Sequence, residues 1–401
     1  MFKKNVVIIG CGIAGPVLAL ALHRAGIKSE IFEARNESDT DSGLFHYISP
    51  NGMNVVNILE IYDKIKNVGY DCNGVIHYDE NGNIFATMDE TNEKEIYGVG
   101  SIMIQRKVLT KALREEVVSK GIKIHFDKKL KNIENTADSK IVAHFEDNFN
   151  TQGDLLVGCD GIHSRTRHII MPNIPKPTYT NMIVSGGYTN IPLKDKNSNI
   201  IHTNYCKKAF LAYCILPDGE IWWWNGMSYP QEQSREELER ISDEKWHRNL
   251  INLYDEDHDV VKELVHATSK KFLKYPIYEM PSIETWYKNN VCLIGDAAHA
   301  LSPHAGQGAS MAMEDAMMLA KCLRDVKDIQ KAFEKFQQLR KKRVEKIAKI
   351  AHDVGENYFL TSPIKKRFRN ISMKLMYTPF IFNRMAKFFF GYDVEWDIKV
   401  K

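Results

Sequence analysis

The stretch Val6-Val7-Ile8-Ile9-Gly10-Cys11-Gly12-Ile13-Ala14-Gly15 decides the fold. Its first four residues are apolar and β-branched, as in a strand buried on both faces, and an apolar helical pattern follows over 16–25. A second strand pattern over 29–32 ends at Glu33, about 20 residues after the glycines, where an acid can bond a ribose hydroxyl. This order predicts a dinucleotide site for NAD or FAD without a 2′-phosphate. The alternative is a glycine-rich turn in an ordinary α/β protein.

Each glycine of the turn has a separate predicted task. Gly10 permits the tight turn, Gly12 lets the backbone approach a pyrophosphate, and Gly15 lets the helix pack close to the strand. The N-terminus of the helix offers unpaired N–H groups and a partial positive charge to the phosphates.

Composition and charge narrow the class of protein. A chain of 401 residues with 44% hydrophobic and 26% charged residues can bury a large core, and a net charge of +3 predicts no nucleic-acid partner. Seven scattered cysteines without a C-x-x-C pair predict buried thiols in a reducing compartment. The first strand begins at once and no stretch reaches the length of a membrane span, so we expect a cytoplasmic protein.

The middle of the chain changes from alternating strand and helix patterns to mostly strands. Strand patterns cover 181–188, 209–216 and 221–227, with a hairpin turn at 217–220. We expect a largely antiparallel sheet inserted into the first domain. The predicted divisions are a nucleotide-binding domain (1–72, 99–178 and 281–355), a substrate domain (73–98 and 179–280) and a C-terminal helical segment (356–401).

Three further positions follow predicted strands. Arg106 lies at a strand–helix junction, Asp160-Gly161 follows a buried strand, and Gly295-Asp296 precedes Gly306-Gln307-Gly308 at the start of another helix. Taken locally, Arg106 suits a surface ion pair and Asp160 suits a helix cap. His299 and His304 have no carboxylate or cysteine at ligand spacing, so we expect no metal site.

In this order, the motifs at 10–33, 160–161 and 295–308 resemble the single-component FAD-dependent aromatic hydroxylases, the para-hydroxybenzoate hydroxylase-like family. The family includes salicylate hydroxylase-like enzymes and the tetracycline-inactivating monooxygenases. The resemblance covers about residues 4–350 and implies an α/β fold: a Rossmann-like FAD-binding domain, an inserted, largely antiparallel substrate domain and a C-terminal helix. Two positions depart from the family pattern: Ser310 stands where many members have Asn, and Gly43 stands alone where many have a glycine pair.

The resemblance assigns cofactor contacts residue by residue. Glu33 would bind the adenosine ribose, Arg106 the ribityl–phosphate side and Asp296 the ribityl chain, while Asp160 belongs to a motif linked to both FAD and NAD(P)H. The implied FAD-binding set is Gly12, Ala14, Gly15, Glu33, Arg106, Asp160, Asp296, Gly308 and Ala309, the last two through backbone N–H groups at the pyrimidine edge of the flavin.

The resemblance also implies the reaction. NAD(P)H reduces FAD, O₂ adds to give a flavin hydroperoxide, and one oxygen is transferred to a small aromatic, phenolic or polyketide-like substrate, with antibiotics among the candidates. No protein side chain is needed as catalyst, since the flavin does the chemistry. The alternatives are a related flavin reductase or dehydrogenase, and an idle flavoprotein that binds a drug or pigment.

Aromatic residues mark a predicted substrate pocket. Alternation places Trp222 and Trp224 on one strand face and Trp223 on the other, so the first two can form either a pocket wall or core. The predicted pocket residues are Phe45, Tyr47, Tyr213, Trp222, Trp224, Pro303 and His304. For Phe45 and Tyr47, a mobile segment over the ligand and an ordinary strand are both open.

The C-terminal segment is basic and rich in phenylalanine. From Lys365 onward the sequence contains nine Lys or Arg residues and only three acidic residues. Such a segment can lie on a membrane surface, but we expect a helix packed across both domains with its charges in solvent. The expected partners are thus the substrate and O₂, and the expected state is a monomer or homodimer.

Overall fold

A computed structural model of the chain describes residues 4–38, 43–193, 198–268 and 271–400. Four sheets and fourteen α-helices lie in these ranges. The strands are β1 (Asn5–Ile9), β2 (Lys28–Phe32), β3 (Phe45–Ile48), β4 (Tyr70–Asp71), β5 (Gly74–Tyr78), β6 (Ile84–Asp89), β7 (Ile102–Gln105), β8 (Ile124–His125), β9 (Leu130–Asn135), β10 (Ile141–Phe145), β11 (Asn150–Gly153), β12 (Leu155–Gly158), β13 (Thr178–Thr189), β14 (Ile201–Tyr205), β15 (Ala209–Ile215), β16 (Ile221–Ser228), β17 (Leu273–Glu279), β18 (Tyr287–Lys288) and β19 (Val291–Leu293). The helices are α1 (Ala14–Arg24), α2 (Pro50–Ile58), α3 (Tyr62–Lys66), α4 (Glu93–Tyr97), α5 (Arg106–Ser119), α6 (Arg165–Ile170), α7 (Arg235–Glu239), α8 (Asp243–Tyr254), α9 (Asp259–Ala267), α10 (Asp296–His299), α11 (Gly308–Asp325), α12 (Ile329–Glu356), α13 (Pro363–Met376) and α14 (Pro379–Phe390).

The first sheet has the order β18-β19-β12-β1-β2-β8. Strand β1 pairs in parallel with β2 and β12, and β12 pairs in parallel with β19, while edge strand β18 is antiparallel. Helices α1 and α11 pack on each other, and the central strands are buried on both faces. Because carboxyl ends of parallel strands meet at one edge, Gly10, Glu33, Asp160 and Gly295 come together there.

The predicted inserted sheet is confirmed. It has seven strands in the order β17-β13-β16-β15-β14-β5-β6, antiparallel except where β14 pairs in parallel with β5. Its strands come from residues 74–89 and 178–279. One face packs under α8 and α9, and the other faces strand β3 through Trp222 and Trp224. The aromatic face of the inserted sheet therefore meets the three-stranded sheet β3-β7-β4.

Several predicted helices are divided differently. The sequence over 53–68 has a continuous helical pattern, but the structure divides it at Glu60, whose positive φ of 62° ends α2 before α3 begins. The sequence over 235–254 likewise has one helical pattern, which the structure divides into α7 and α8. The polar stretch after it contains α9, which buries Val261, Leu264 and Val265 along one face. These errors share a cause, since short amphipathic helices carry weak sequence signals.

The expected single C-terminal helix is two helices. Pro379 disfavours helical geometry at Thr378 before it, so α13 ends and α14 starts afresh with Pro379 in its first turn. Helix α13 contacts β6 and α14 contacts α2. In the described ranges, none of the helices combines the length and the apolar character needed to cross a bilayer.

Candidate functional site

The glycine turn between β1 and α1 is shaped by two contacts with its own protein. Gly10 has φ of +103°, and a Cβ there would lie 2.5 Å from the Cys159 carbonyl oxygen. A Cβ on Gly15 would lie 2.0 Å from the carbonyl oxygen of Gly10. A Cβ on Gly12, in contrast, would meet no protein atom within 4 Å. The fold therefore requires Gly10 and Gly15, whereas Gly12 leaves space that a ligand can use.

Glu33 joins the end of β2 to this turn. Its carboxylate accepts hydrogen bonds from the backbone N–H groups of Cys11, at 2.7 Å, and Arg35, at 3.0 Å. No side chain of the described residues caps α1, so the N–H groups of its first turn, beginning at Ala14, are left for another acceptor. This corner offers an acid and a positive helix end side by side, which suits a nucleotide's ribose and phosphates.

Arg106 and Asp296 bring opposite charges to the same concavity. Arg106 opens α5, and its backbone N–H donates to the Leu44 carbonyl at 2.9 Å. A Cβ on Gly43 would lie 2.5 Å from Arg106 Cδ, so the lone glycine is what lets the arginine cross that loop. Both charged groups are accessible at the surface, yet desolvation lowers the pKa of Arg106 and raises that of Asp296.

Asp296 has no hydrogen-bond partner among the described residues, and it begins α10 directly after Gly295. Its exposed carboxylate is therefore open to a partner from outside the protein. Such a group fits ligand hydroxyls, as a ribityl chain would supply.

Asp160 is engaged differently. It accepts hydrogen bonds from Ser164 Oγ at 2.6 Å and from the backbone N–H and side-chain hydroxyl of Thr166, both at 2.9 Å. Burial raises the pKa of this carboxyl and these bonds oppose the rise. The local prediction of a helix-capping acid is thus realised at the start of α6. A contact of Asp160 with the cofactor stays a prediction.

The start of α11 is the second helix terminus at this edge. No side chain of the described residues caps it, and a Cβ on Gly308 would meet nothing within 4 Å. The side chain of Gln307 is held by Asn51 at 3.0 Å and Ser49 at 2.9 Å. The N–H groups of Gly308 and Ala309 are thereby left for an electron-rich ligand atom.

Ser310, the departure from the family pattern, faces α2. Its Oγ lies 3.0 Å from Ser49 Oγ, and a Cβ on Gly52 would lie 2.6 Å from it. Ser310 therefore has a packing role in which little space remains for a larger side chain.

Sequence reasoning missed a buried charge cluster beneath the site: Glu314, Asp315 and Arg340. Arg340 contacts the Glu314 carboxylate at 2.5 Å and that of Asp315 at 2.8 Å. Asp315 also accepts from the backbone N–H of Gly295 at 3.0 Å and pairs with His299 Nε2 at 2.5 Å. The available signal was the adjacent acid pair inside the apolar run Met311-Ala-Met-Glu-Asp-Ala-Met-Met318.

This cluster fixes the Gly295 turn from below. Burial opposes ionisation of Asp315, but the charges of His299 and Arg340 hold the pKa of its carboxyl at about 2. Asn51 donates to Glu314 as well as to Gln307, so α2, α10 and the start of α11 are bonded into one unit. His299 is accordingly a structural partner of Asp315.

On the substrate side, several rings form an aromatic cluster: Phe45, Tyr70, Tyr188, Trp222 and Trp224. The ring centroid of Phe45 lies 5.3 Å from that of Trp222 and 5.2 Å from that of Trp224. Trp222 is buried at the centre, with Tyr70 and Tyr188 edge-on to it. Trp224 is half-buried and thus the more accessible of the two tryptophans.

Of the predicted pocket residues, Tyr213 points elsewhere, whereas Tyr47 shares the strand face of Phe45. Tyr213 pairs across the strands with Trp223, not Trp224, so its ring lies on the opposite face and stacks on His202 at 4.6 Å. Tyr47 lies on paired strand β3, as in the strand alternative, and its hydroxyl donates to Glu90 at 2.6 Å. The structure therefore brings Phe45, Trp222 and Trp224 together without Tyr213.

Pro303 and His304 lie in a one-turn 3-10 helix, Pro303–Ala305, just before α11. His304 meets the ring of Tyr358 edge-on at 4.5 Å, and burial lowers its pKa to about 4, so the imidazole is neutral at pH 7. Tyr358 also stacks on Phe210, which adjoins Trp224. The turn is thereby linked to the aromatic cluster. Within the described ranges, no group of three His, Cys, Asp or Glu side chains is placed to hold a metal ion.

The residues at this edge fit FAD. The two uncapped helix termini and the open Gly12 suit the phosphates and the flavin ring. The acid beside the glycine turn suits the ribose, and the accessible carboxylate of Asp296 suits the ribityl chain.

Comparison with known proteins also indicates FAD as the cofactor. The family described as FAD binding domain matches residues 3–351. Aurachin C monooxygenase/isomerase of Stigmatella aurantiaca is 27% identical over 331 residues, covering 80% of this chain and 80% of the relative. The 6-hydroxynicotinate 3-monooxygenase of Pseudomonas fluorescens is 25% identical over 350 residues, covering 81% of this chain and 83% of the relative.

Solved structures share the fold over nearly the whole length. Klebsiella pneumoniae HpxO complexed with FAD and uric acid gives a TM-score of 0.86 at 20% identity, covering 97% of both chains. A salicylate hydroxylase substrate complex gives 0.80 at 19% identity, covering 100% of this chain and 99% of that one. With a family match over most of its length, the chain belongs to the FAD-binding domain family and is an FAD-dependent monooxygenase of the aromatic-hydroxylase type.

Proposed function

We propose that this protein hydroxylates a small, electron-rich aromatic substrate at the expense of NAD(P)H and O₂. The cofactor would be held by Gly12, Ala14, Gly15 and Glu33 on the adenosine and pyrophosphate side. Arg106, Asp160 and Asp296 would serve its middle, and Gly308 and Ala309 the pyrimidine edge of its ring. When bound and reduced, FAD supplies the activation of O₂ and the transfer of one oxygen atom. The balance is one substrate C–H, O₂, NAD(P)H and a proton giving the hydroxylated product, NAD(P)⁺ and water.

The observation that carries this proposal is the position of strand β3. Its entry residue Leu44 bonds the backbone of Arg106, in the cofactor site, and Phe45 enters the aromatic cluster with Trp222 and Trp224. One short strand thus spans from the flavin side to an aromatic surface. Offset stacking on such rings adds about 1 kcal/mol per ring for a flat ligand.

The protein's own contribution is positioning and shielding. Trp224 and Phe45 would bind the face of the substrate, and the Pro303–Ala305 turn would close the pocket beneath it. Neutral His304 puts no charge beside the reacting carbon. Phenolic, heteroaromatic and polycyclic compounds, antibiotics included, belong to this substrate class. Seven buried cysteines, none in a disulfide, support a reducing compartment and hence the cytoplasm.

The test follows NAD(P)H oxidation, O₂ uptake and hydrogen peroxide release by the FAD-loaded protein with a panel of such compounds. A substrate should accelerate NAD(P)H oxidation and yield hydroxylated product with little peroxide. A reductase would consume NAD(P)H without placing oxygen in the product, and an idle flavoprotein would show no acceleration by any compound. Either result would refute the proposal.

The pocket is tested with two neighbouring tryptophans on opposite strand faces. Trp224→Leu should raise KM and divert NAD(P)H oxidation to peroxide. Trp223→Leu removes a fully buried ring on the other face, so it should lower stability by roughly 3 kcal/mol while its folded fraction keeps normal coupling. Normal coupling in Trp224→Leu would place the pocket elsewhere.

A further inference from the structure

Helix α13 is amphipathic, but its apolar face is exposed and its charged face is turned toward the protein, the reverse of the usual arrangement in a soluble domain. Four residues at helical spacing form an apolar stripe that faces outward: Ile364, Phe368, Ile371 and Leu375, exposed to 82%, 74%, 51% and 57%. The opposite face carries Lys366 and Arg369. It is turned toward strands β6 and β14 of the inserted sheet. Arg369 lies 4.2 Å from the ring centroid of Tyr205, and Lys366 is 3.8 Å from Glu80. A helix normally buries its apolar stripe and leaves its charges outside.

The exposed apolar surface continues beyond α13. Phe380, at the start of α14, is 84% exposed, and Ile381 beside it is exposed as well. In contrast, the far end of α14 is buried through Phe389 and Phe390. The protein thus anchors this segment firmly while presenting its apolar residues to the surroundings, which is the arrangement of an interaction surface.

The charge of this surface has one sign. Residues 363–390 contain seven Lys or Arg and no acid. Of these seven cations, only Lys366 forms an ion pair with a residue that the structure describes. The exposed cations are Lys365, Arg367, Lys374, Arg384 and Lys387. On a helical projection Arg367 and Lys374 flank one side of the apolar stripe and Lys365 the other.

We propose that the α13–α14 surface docks on a lipid bilayer that contains anionic lipids. The apolar stripe and Phe380 would lie at the boundary of headgroups and acyl chains, with the flanking cations at the lipid phosphates. The protein would lie on the membrane without spanning it. The proposal takes up the alternative stated in the sequence analysis, a segment on a membrane surface, in place of a helix that merely covers both domains. The proposal does not depend on which substrate the enzyme takes.

Charge complementarity favours this occupant over a second copy of the chain. A twofold interface through α13 would bring Arg367 and Lys374 near their own copies, and residues 363–390 contribute no acid to offset them. An anionic bilayer supplies the opposite charge together with an apolar layer, so both features of the surface are satisfied at once.

Flotation on a density gradient tests the proposal with full-length, FAD-loaded protein. Vesicles of phosphatidylcholine alone are compared with vesicles containing about 30 mol % phosphatidylglycerol, an anionic fraction that attracts basic surfaces. We expect flotation only with the anionic vesicles, and its loss in about 0.5 M salt, where charges are screened within a few ångström.

Variants separate the contributions of the apolar and the charged side chains to vesicle binding. The double variant Phe368→Ser with Phe380→Ser should weaken binding roughly tenfold or more. Arg367→Gln with Lys374→Gln should also weaken it roughly tenfold. Two controls should bind like the unchanged protein: Val118→Ser, at a residue 61% exposed on α5, and Lys111→Gln with Lys131→Gln, at exposed cations elsewhere.

Three results would overturn the proposal. They are no flotation with either vesicle, flotation that the phenylalanine variant leaves unchanged, and sedimentation showing a dimer that the phenylalanine variant dissociates without any flotation. The last result would assign the surface to a second copy.

Discussion

At the scale of single residues, Gly12 differs from its neighbours by what surrounds it. Gly10 and Gly15 are constrained by carbonyl oxygens that a side chain would strike. Gly12 is constrained by nothing in the protein, and its φ lies outside the range that only glycine tolerates. Since the fold itself does not require glycine at this position, we infer that the absence of a side chain at Gly12 leaves space for a bound ligand.

Gly12→Val should therefore abolish FAD binding without unfolding the protein. The valine methyl groups would occupy the place into which a pyrophosphate must come, while no protein atom is displaced. Flavin absorbance after purification and isothermal titration with FAD measure the first effect, and thermal unfolding of the FAD-free protein measures the second.

Gly100→Val is the matched control, because a Cβ there also meets no atom within 4 Å and the residue is likewise half-buried. It should retain FAD. If Gly12→Val retains FAD with unchanged affinity, the glycine turn is not the pyrophosphate site.

At the scale of elements, α11 does two tasks with one sequence. Its start presents Gly308 and Ala309, and about two turns later Glu314 and Asp315 hold Arg340 in the interior. Ionised groups without exposure are costly unless they are paired and hydrogen-bonded. Here the pairing also fixes the turn at Gly295, so the charged interior is part of the cofactor site's support.

Arg340→Met should destabilise the FAD-free protein by about 3 kcal/mol, because two buried carboxylates lose their shared cation. FAD affinity should fall as well, since Asp315 holds the Gly295 turn. Denaturant unfolding monitored by tryptophan fluorescence and an FAD titration measure the two effects.

Lys342→Met, at an exposed position of the same helix, should stay within about 0.5 kcal/mol of the unchanged protein. Equal stability of the two variants would mean that the cluster is not a structural centre. In acid, the stabilisation by Asp315 should be complete above its ordinary pKa of 3.8 and disappear as the pH falls toward 2.

At the scale of the whole molecule, the C-terminal segment belongs to the main core. The family match ends at residue 351, yet Phe389, Phe390, Val394 and Trp396 pack into the core of the cofactor domain. Lys321 Nζ donates to the carbonyl oxygens of Val394 and Glu395 at 2.7 and 2.6 Å. The segment closes the domain, and only its α13 and the start of α14 face outward.

Two phenylalanines of α14 test this division. Phe389→Ala should cost about 3 kcal/mol of unfolding free energy, as expected for a buried phenylalanine. Phe380→Ala, at a ring that is largely exposed, should change it by less than about 0.5 kcal/mol. Denaturant titration of both proteins measures the difference, and equal losses would show that α14 is not anchored at its far end.

Local patterns were enough to predict much of this molecule. The strand, glycine turn, helix and acid at 6–33 are a continuous sequence signal, and so is the inserted sheet with its turn at 217–220. Tyr213 was wrongly grouped with Trp224 because a hairpin's register depends on turn geometry, and a shift of one residue moves a side chain to the other face. The face that α13 turns inward could not be predicted either, since periodicity gives a stripe but not its direction.

The buried cluster shows another limit of local patterns. The Glu314-Asp315 pair is visible in the sequence, but its partner Arg340 lies in a basic helix among many exposed cations. Which cation turns inward depends on how α12 crosses α11, a tertiary contact that no spacing rule contains.

The sheet pairings also determine when the fold can be completed during synthesis. Val75 of β5 pairs with Ile201 of β14, and Leu156 of β12 pairs with Val291 of β19. While the ribosome makes the intervening chain, the β5–β6 hairpin and the strands around β1 each have an unpaired edge. Unpaired edges favour pairing with strands of other chains and aggregation. The strands of the two sheets are interleaved along the chain, so neither sheet is finished before the other is begun. Neither sheet can therefore be complete before β17 and β19 have been made, when most of the chain has already left the ribosome.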